Sequence, residues 1–298
     1  MPSTREIRRR IRSTKNMAQI TKAMQMVASS KMRRAQERVQ QARPYSDQIR
    51  GLVSRLAAVA STADSVEELD LLKQRPVHKI GFLILTPDRG LSGALPSNVN
   101  RYVANSALEQ QRKYTEQGSL PEIRFIAVGR KGRDFITRTQ QNLLAEFTNY
   151  GDRPLLTDAS AIAQVAVDAF LKEDVDAVYL VYPKFVNTVT QTPVTIQLLP
   201  VQPPEQKEGA EEQKTTEYIY EPDATTLFSA LLPRYVDVQV YQALLETIAS
   251  FYSAQMVAMK NATDNAKELV DDLTLTYNKA RQSAITDQIL EIVAGANA

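Results

Sequence analysis

The feature that most constrains the fold of this chain is an uninterrupted helical pattern at its C-terminal end. Residues 254–298 contain no Pro, and their only Gly is Gly295. Across residues 224–295 apolar side chains recur every three or four positions, as in an amphipathic helix. About 70 helical residues span ~100 Å, whereas a domain of ~150 residues is only ~30 Å across. Such a helix needs a long partner, because one small domain cannot bury it.

The N-terminal residues, about 4–58, are predicted to supply that partner. Ser3 or Thr4 can cap the start of a helix, and Pro44 is expected to kink it or to divide it into two pieces. Apolar residues follow the three-four spacing of a coiled-coil seam. The predicted seam consists of Ile7, Ile11, Ile20, Met24, Val27, Ala35 and Ala42, with polar interruptions at Thr14 and Lys31. We expect the two terminal helices to pair antiparallel as a stalk that projects beyond the rest of the chain.

The central residues have a different pattern, in which short apolar runs alternate with helical segments. The predicted strands are 77–86, 122–129, 143–148, 175–185 and 189–200, with 218–222 as a short strand or turn. This alternation predicts a Rossmann-like α/β domain with a mostly parallel sheet. The polar residues 202–217 are expected to form a surface loop. The fold class is therefore α/β with a long antiparallel two-helix coiled coil, in three segments: 1–58, 77–222 and 224–298.

Composition excludes several classes of active site. The chain has no Cys, so it has no disulfide, thiol nucleophile or Cys-based zinc site. His78 is the only His, which argues against a His metal cluster or a His-centred triad. No GxxxxGK[ST] motif occurs, and Gly90–Gly93 form GxxG rather than GxGxxG, which indicates a tight turn. We therefore predict no catalytic, cofactor-binding or metal-binding residue.

The net charge of +2 conceals a strong asymmetry between the two ends. Residues 1–43 carry twelve basic and two acidic side chains, whereas residues 221–298 carry ten acidic and five basic ones. Opposite charge permits the two ends to pair, although exposed ion pairs contribute only ~0–1 kcal/mol each. Because twelve bases are too many for an ordinary solvated helix face, the N-terminal helix is predicted to face an acidic partner.

Two other classes of protein fit parts of this pattern. A nucleic-acid-binding coiled-coil protein would use the basic helix to neutralise phosphates, but no aromatic residue precedes Tyr45. An α/β enzyme with helical arms would use the central segment, but that segment lacks a recognisable catalytic motif. The Arg-rich start also has the composition of a mitochondrial transit peptide, although the helical pattern continues past residue 40 without a break. No run of 18 apolar residues and no secretory signal are visible.

Three stretches, in fixed order, carry the most specific motifs. They are ITKAMQMVASSKMRRAQ at 20–36, DRGLSGALPSNVNR at 88–101, and MVAMKNATDNAKELVDDLTLTYNKARQSAITDQILEIVAGA at 256–296. Together they resemble the gamma subunits of F-type ATP synthases, and the order and spacing extend over essentially the whole chain.

The resemblance implies a non-catalytic, single-copy rotor subunit in the central stalk of a proton-transporting ATP synthase. The implied partners are the alpha and beta subunits of the catalytic hexamer, the epsilon subunit and the c-ring. The subunit would couple ion-driven rotation of the c-ring to conformational cycling of the beta subunits. It would have no cofactor, no nucleotide site or other small-molecule substrate, and no nucleic-acid partner.

The resemblance also places contact residues on this sequence. The residues implied to face the beta subunits are Met24, Arg33, Arg34, Arg281, Gln282 and Thr286. Tyr220 and Glu221 would belong to the foot that meets the c-ring and epsilon. The implied location is peripheral, on the cytoplasmic face of a bacterial cell membrane, or on a thylakoid membrane if the source is photosynthetic. Without Cys, the dithiol regulation of plant relatives is excluded.

Overall fold

The computed structural model describes residues 3–60, 69–116, 118, 120–202 and 223–296. The described helices are α1 (Thr4–Ala60), α2 (Leu95–Glu116), α3 (Arg130–Arg138), α4 (Leu156–Leu171) and α5 (Ala224–Ala296). The described strands are β1 (Lys79–Leu85), β2 (Glu122–Val128), β3 (Asn142–Phe147), β4 (Ala177–Phe185) and β5 (Gln191–Leu199). The strand predicted at 218–222 and most of the loop at 202–217 lie outside the described residues.

The chain divides into two compact units. The helical unit consists of residues 1–30 and 255–298, and the α/β unit consists of residues 31–254. Among the described residues, we find no helix with the length and apolarity that crossing a membrane requires.

The α/β unit is built on one five-stranded sheet with the order β3-β2-β1-β4-β5. The first three pairings are parallel and only β4 and β5 are antiparallel, which confirms the mostly parallel sheet. β1 lies at the centre of this order, and six of its seven residues are buried. This burial explains the continuous apolar run KIGFLIL, because a central parallel strand is covered on both faces.

Alternate residues of β1 point into two separate cores, one on each face of the sheet. Leu83 and Leu85 pack with α4 in the first core, and Ile80, Phe82 and Ile84 pack with α2 in the second. Both cores are completed by the terminal helices. The first core includes α1 residues 49–56 and α5 residues 228–244, and the second includes α1 residues 35–39 and α5 residues 245–252.

Helix α5 passes from one core to the other at the carboxyl end of β4. There the Ser250 hydroxyl donates to the carbonyl oxygen of Pro183 at 2.8 Å, and the Glu246 carboxylate accepts from the N–H of Phe185 at 3.3 Å. Burial raises the pKa of Glu246 above its ordinary value. A helix therefore occupies the edge of the sheet at which the parallel strands end.

Helix α1 runs without a break through Pro44, so the expectation that this residue divides the helix is wrong. A Pro removes one backbone hydrogen bond, but apolar side chains beyond it keep the helix in place. Ile49, Val53 and Leu56 are at most 5% exposed and lie in the first core.

The helical unit is an antiparallel helix pair with a regular seam. The inward positions on α1 are Ile7, Ile11, Thr14, Ala18, Thr21, Gln25 and Ala28, and those on α5 are Met259, Thr263, Ala266, Val270, Leu273, Tyr277 and Ala280. The intervals alternate between three and four residues on both helices, as in a coiled coil. Two cross-helix contacts fix the antiparallel register: Thr21 hydroxyl to Thr263 hydroxyl at 2.8 Å, and the Arg8 guanidinium to the Tyr277 hydroxyl and ring.

The predicted seam was wrong at Ile20, Met24 and Val27, which are 51%, 40% and 57% exposed. The observed seam uses Ala18 and Thr21 instead, which are smaller. Small side chains let two helices approach closely, so the most apolar stripe is not the buried one. Among the described residues of this unit, no ion pair joins the two helices, since Arg10–Glu6 and Lys267–Asp264 each lie within one helix.

Gly129, between β2 and α3, provides a test of local backbone strain. Its φ is +94°, and an added Cβ would lie 1.9 Å from the carbonyl oxygen of Thr86. We expect Gly129→Ala to lower the free energy of unfolding by at least ~2 kcal/mol, measured by denaturant unfolding of the full chain. Gly90→Ala is the matched control, because nothing lies within 4 Å of its Cβ position. Equal stability of the two variants would contradict this account.

Glu246 provides a test of pH dependence. Because burial raises its pKa above 4.5, the folded chain holds this proton more tightly than the unfolded chain. Folding stability is therefore lost as the pH rises through the folded pKa. We expect Glu246→Gln to raise the melting temperature relative to the parent chain at pH 8 and to raise it less at pH 4, below the ordinary pKa of a glutamate. The same shift at both pH values, or a similar one in the exposed control Glu37→Gln, would contradict the assignment.

Candidate partner-binding surfaces

The carboxyl edge of the sheet is where a doubly wound α/β fold usually binds its ligand. Here the chain fills the anion position at the N-terminus of α3 with its own groups. Asp88 Oδ1 accepts from the N–H of Arg130 at 3.0 Å, and Asp88 Oδ2 accepts from the N–H of Asn149 at 3.0 Å. Thr86 Oγ1 accepts from the N–H of Gly132 at 2.8 Å. Backbone N–H groups that bind phosphate in other proteins are satisfied within this chain.

Helix α5 covers what remains of this crevice. The cavity left beside the Asp88 turn has a volume of about 220 Å³, which is below the ~300–1,000 Å³ of typical small-molecule sites. On the α5 side it is lined by Thr247, Ile248, Phe251 and Tyr252. The α/β unit thus uses its ligand-binding edge to hold a helix. The prediction that Gly90–Gly93 form a turn agrees with this geometry, and Gly93 has a φ of 59°.

The N-terminal part of α1 presents a basic surface. In the helical unit its seven basic side chains, Arg5, Arg8, Arg9, Arg10, Arg12, Lys15 and Lys22, are all exposed. Of these, Arg10 forms the only ion pair among the described residues, 2.8 Å from Glu6. Most of this positive charge is therefore available to a partner with acidic side chains.

The end of α5 presents an apolar surface that no other described residue covers. No described residue after Ala280 takes an inward position, and the described side chains of residues 281–295 are all exposed. Ile285, Ile289 and Ile292 lie on one helix face and are 46%, 55% and 72% exposed. Leu290 and Val293 add to this surface at 61% and 52% exposed. Contiguous exposed apolar groups of this kind mark an interaction site.

The structure places the predicted contact residues of the helical unit at two separate levels. Arg281, Gln282 and Thr286 lie just beyond the paired part of α5 and are exposed; Thr286 donates its hydroxyl proton to the Gln282 carbonyl oxygen at 3.0 Å. Met24 is 40% exposed. From the Thr21–Thr263 register, Met24 lies opposite residue ~260, about 30 Å along the helix axis from Arg281.

The other predicted contact residues belong to the α/β unit or lie outside the described residues. Arg33 and Arg34 are exposed on α1. Tyr220 and Glu221 lie outside the described residues. The exposure of Met24, Arg33 and Arg34 favours contact with a partner over packing within the chain, and their role stays a prediction.

Sequence reasoning missed the isoleucine face of α5 as a candidate surface. The apolar spacing of these isoleucines continues the helical pattern of the coiled coil and does not by itself distinguish a paired from an unpaired helix. The lengths of the two terminal helices carry the distinguishing signal. The N-terminal helix begins at Thr4, so a partner that lies antiparallel in register with it ends near residue 281 and leaves the later apolar residues uncovered.

Comparison with known proteins gives concordant results over the full length of the chain. A family model described as ATP synthase matches residues 3–298. The ATP synthase gamma chain of Roseiflexus castenholzii is 51% identical, and that of Dehalococcoides mccartyi strain 195 is 49% identical; each match covers 100% of this chain and 99% of the relative.

Solved structures share the fold at lower identity. A chain from the Euglena gracilis mitochondrial ATP synthase superimposes with a TM-score of 0.65 at 19% identity, covering 99% of this chain and 93% of that one. A chain from the central stalk and c-ring of the Tetrahymena thermophila enzyme gives 0.58 at 24% identity, covering 82% of this chain and 99% of that one.

The Asp88 cap is open to a direct test. Asp88→Ala removes the acceptor for two backbone N–H groups, and hydrogen bonds to a charged group are worth ~1.5–3 kcal/mol each. Because both bonds are solvent-exposed and water can replace the lost acceptor, we expect the variant to lose less than the sum of the two, ~1–3 kcal/mol of folding stability, measured by denaturant unfolding. Asp134→Ala is the matched control, because Asp134 is exposed and its carboxylate pairs with the guanidinium of the neighbouring Arg133. A loss no larger than that of the control would contradict the cap.

Proposed function

The chain belongs to the family of ATP synthase gamma chains, and from this membership we propose that it is the central-stalk rotor subunit, which couples ion-driven rotation of the c-ring to conformational cycling of the catalytic beta subunits. The coupling is allosteric in the thermodynamic sense. Each face of the rotor stabilises one conformation of a neighbouring beta subunit over another, and rotation changes which subunit is stabilised.

The observation that carries the proposal is the end of α5, which no other part of the described chain covers. A single helix with exposed Ile285, Ile289 and Ile292 extends past the last paired residue, Ala280. In water such a surface is unfavourable, at ~25 cal/mol per Å² of apolar area. A sleeve of alpha and beta subunits around it removes this area from water and leaves the helix free to rotate, because apolar contacts are not directional.

The polar residues at the same level supply contacts that depend on the rotation angle. We propose that Arg281, Gln282 and Thr286 contact a beta subunit. We also propose that Met24, Arg33 and Arg34 face acidic beta-subunit loops lower on the rotor. The exposed bases of α1 support this assignment, since positive charge on the rotor favours negative charge on the surrounding subunits.

The α/β unit, in this proposal, docks on the epsilon subunit and the c-ring, with Tyr220 and Glu221 in the foot. The chain contributes no catalytic group and binds no nucleotide, which fits a crevice filled by Asp88 and by α5. One copy serves each complex as a non-catalytic subunit of a proton-transporting ATPase. We place it as a peripheral protein on the cytoplasmic face of a bacterial cell membrane. Functionally, it divides into a coiled-coil helix at 1–58, an α/β domain at 77–222 and a second coiled-coil helix at 224–298.

Assembly with alpha and beta subunits tests the proposed function. The purified chain, mixed with both subunits, is expected to give an ATPase complex with three alpha, three beta and one copy of this chain, by native mass spectrometry. A chain that remains free in this mixture would refute the rotor assignment. Retention of the free chain on DNA at physiological salt would instead support a nucleic-acid-binding protein.

Arg281 and Gln282 are expected to contribute to that assembly. Replacing both with Ala removes exposed polar side chains next to the apolar surface. We expect binding of the chain to the alpha–beta hexamer to weaken at least about fivefold, as for contact residues that matter energetically, measured by titration of labelled chain. The matched control is Lys267→Ala with Asp271→Ala, two exposed residues on the paired part of α5. Equal effects of the two double variants would remove the contact role.

A further inference from the structure

Asp152, in the loop after β3, is contacted from both terminal helices. Lys31 Nζ of α1 lies 2.6 Å from Asp152 Oδ2, and Arg38 of α1 donates to the Asp152 carbonyl oxygen at 3.0 Å. Lys31 Nζ in turn lies 3.4 Å from the Tyr252 hydroxyl of α5 and 5.3 Å from the centroid of its ring. Arg89 approaches the other carboxylate oxygen at 3.9 Å. We call these five residues the Asp152 cluster.

The loop that carries Asp152 is itself fixed to the sheet. The Tyr150 hydroxyl donates to the carbonyl oxygen of Thr86 at 2.7 Å, and the N–H of Asn149 donates to Asp88 at 3.0 Å. Tyr150 is partly buried, and burial raises the pKa of its hydroxyl, so it keeps its proton. Thr86 and Asp88 directly follow the central strand β1. A continuous polar path therefore runs from the central strand through this loop to α1 and α5.

Among ion pairs between described residues, Lys31–Asp152 is the one that joins a terminal helix to the α/β layer. Helix α5 also has hydrogen bonds to the layer, from the Ser250 hydroxyl to the Pro183 carbonyl oxygen at 2.8 Å and from the Ser253 hydroxyl to the Thr188 carbonyl oxygen at 2.6 Å. The core contacts that both helices make with the layer are apolar. Apolar contacts resist separation, but they have no preferred direction and give little resistance to sliding or rotation about a helix axis. Hydrogen bonds and ion pairs with defined geometry supply that resistance.

Folding stability does not account for this arrangement. Lys31 and Asp152 are 37% and 39% exposed, and pairs as exposed as this contribute little to stability. The cluster also lies at a particular place along the chain. Lys31 is the first residue of the α/β unit, and Tyr252 lies two residues before its last, Ala254. Both helices are therefore held by one loop close to where each of them leaves this unit.

We propose that Asp152 is a positioning residue for torque transmission, which locks α1 and α5 to the carboxyl edge of the sheet so that they turn with it. The inference rests on the proposed function as a rotor subunit. With these contacts in place, a rotation of the α/β unit turns both helices by the same angle. Without them, both helices stay folded against their cores, and α1, which loses its ion pair with the layer, yields when the load is high.

The test uses ATP synthase assembled with this chain and reconstituted in sealed vesicles. ATP hydrolysis and the ATP-driven membrane potential are measured on the same sample, with a potential-sensitive dye that does not depend on the coupling ion. For Asp152→Asn we expect hydrolysis per assembled complex near the parental value. We expect the membrane potential generated per ATP hydrolysed, measured against an imposed opposing potential, to fall at least about fivefold. That factor is the lower end of the range for energetic coupling between two sites of a protein.

The controls separate coupling from folding. Asp70→Asn breaks an exposed 2.7 Å pair with Lys73 in the same unit and should keep the parental ratio of potential to hydrolysis. Lys31→Met keeps the apolar stem and should reproduce the Asp152→Asn phenotype. The Lys31→Met and Asp152→Asn double variant should be no worse than either single variant, because the two changes remove the same contact.

Several outcomes would overturn the proposal. An unchanged ratio in Asp152→Asn would do so, and so would a parallel loss of hydrolysis and potential, since that is the result of a merely structural role. Additive losses in the double variant would also count against it. If Asp152→Asn does not assemble, Lys31→Met decides the question by the same ratio. Failure of the parental chain to assemble concerns the proposed function instead of the role of Asp152.

Discussion

Both faces of a mostly parallel sheet must be buried, and in this chain the terminal helices complete both cores. α4 alone does not close the first core, and α2 alone does not close the second; α1 and α5 contribute to each. The helices consequently cannot leave the sheet without exposing Leu83, Phe82 and their neighbours to water. This dependence ties the helices to the sheet and places α5 across the edge where related folds bind ligands. The filled crevice is thus a consequence of how the sheet is covered.

The helical unit is packed differently from the α/β unit. Its seam is narrow and contains small or polar side chains at Ala18, Thr21, Ala28, Thr263 and Ala266. A narrow seam leaves the remaining circumference of each helix to other contacts, and there the large apolar and basic side chains are found. The helix pair therefore has little interior of its own, and most of its large apolar and basic side chains lie on its outer surface.

The elements could be predicted from sequence because their signals are local. The run KIGFLIL indicates a strand buried on both faces, and the described strands confirm that reading. The seam could not be predicted by hydrophobicity, because Ile20, Met24 and Val27 outrank Ala18 and Thr21 on any apolar scale and yet face outward. The contacts of Asp88 and Asp152 could not be predicted from the sequence either. Their partners Asn149 and Lys31 are 61 and 121 residues away in the chain, so only the folded geometry brings them together.

The Thr21–Thr263 bond has a property that isolated buried hydrogen bonds lack. Each hydroxyl also lies within hydrogen-bond distance of a carbonyl oxygen on its own helix, Met17 at 3.0 Å for Thr21 and Met259 at 2.8 Å for Thr263. When the helices shift against each other, each hydroxyl keeps a local acceptor, and no buried donor is stranded. The inter-helix bond can therefore open and re-form many times at small enthalpic cost. It favours one register of the two helices and still allows them to shift and return.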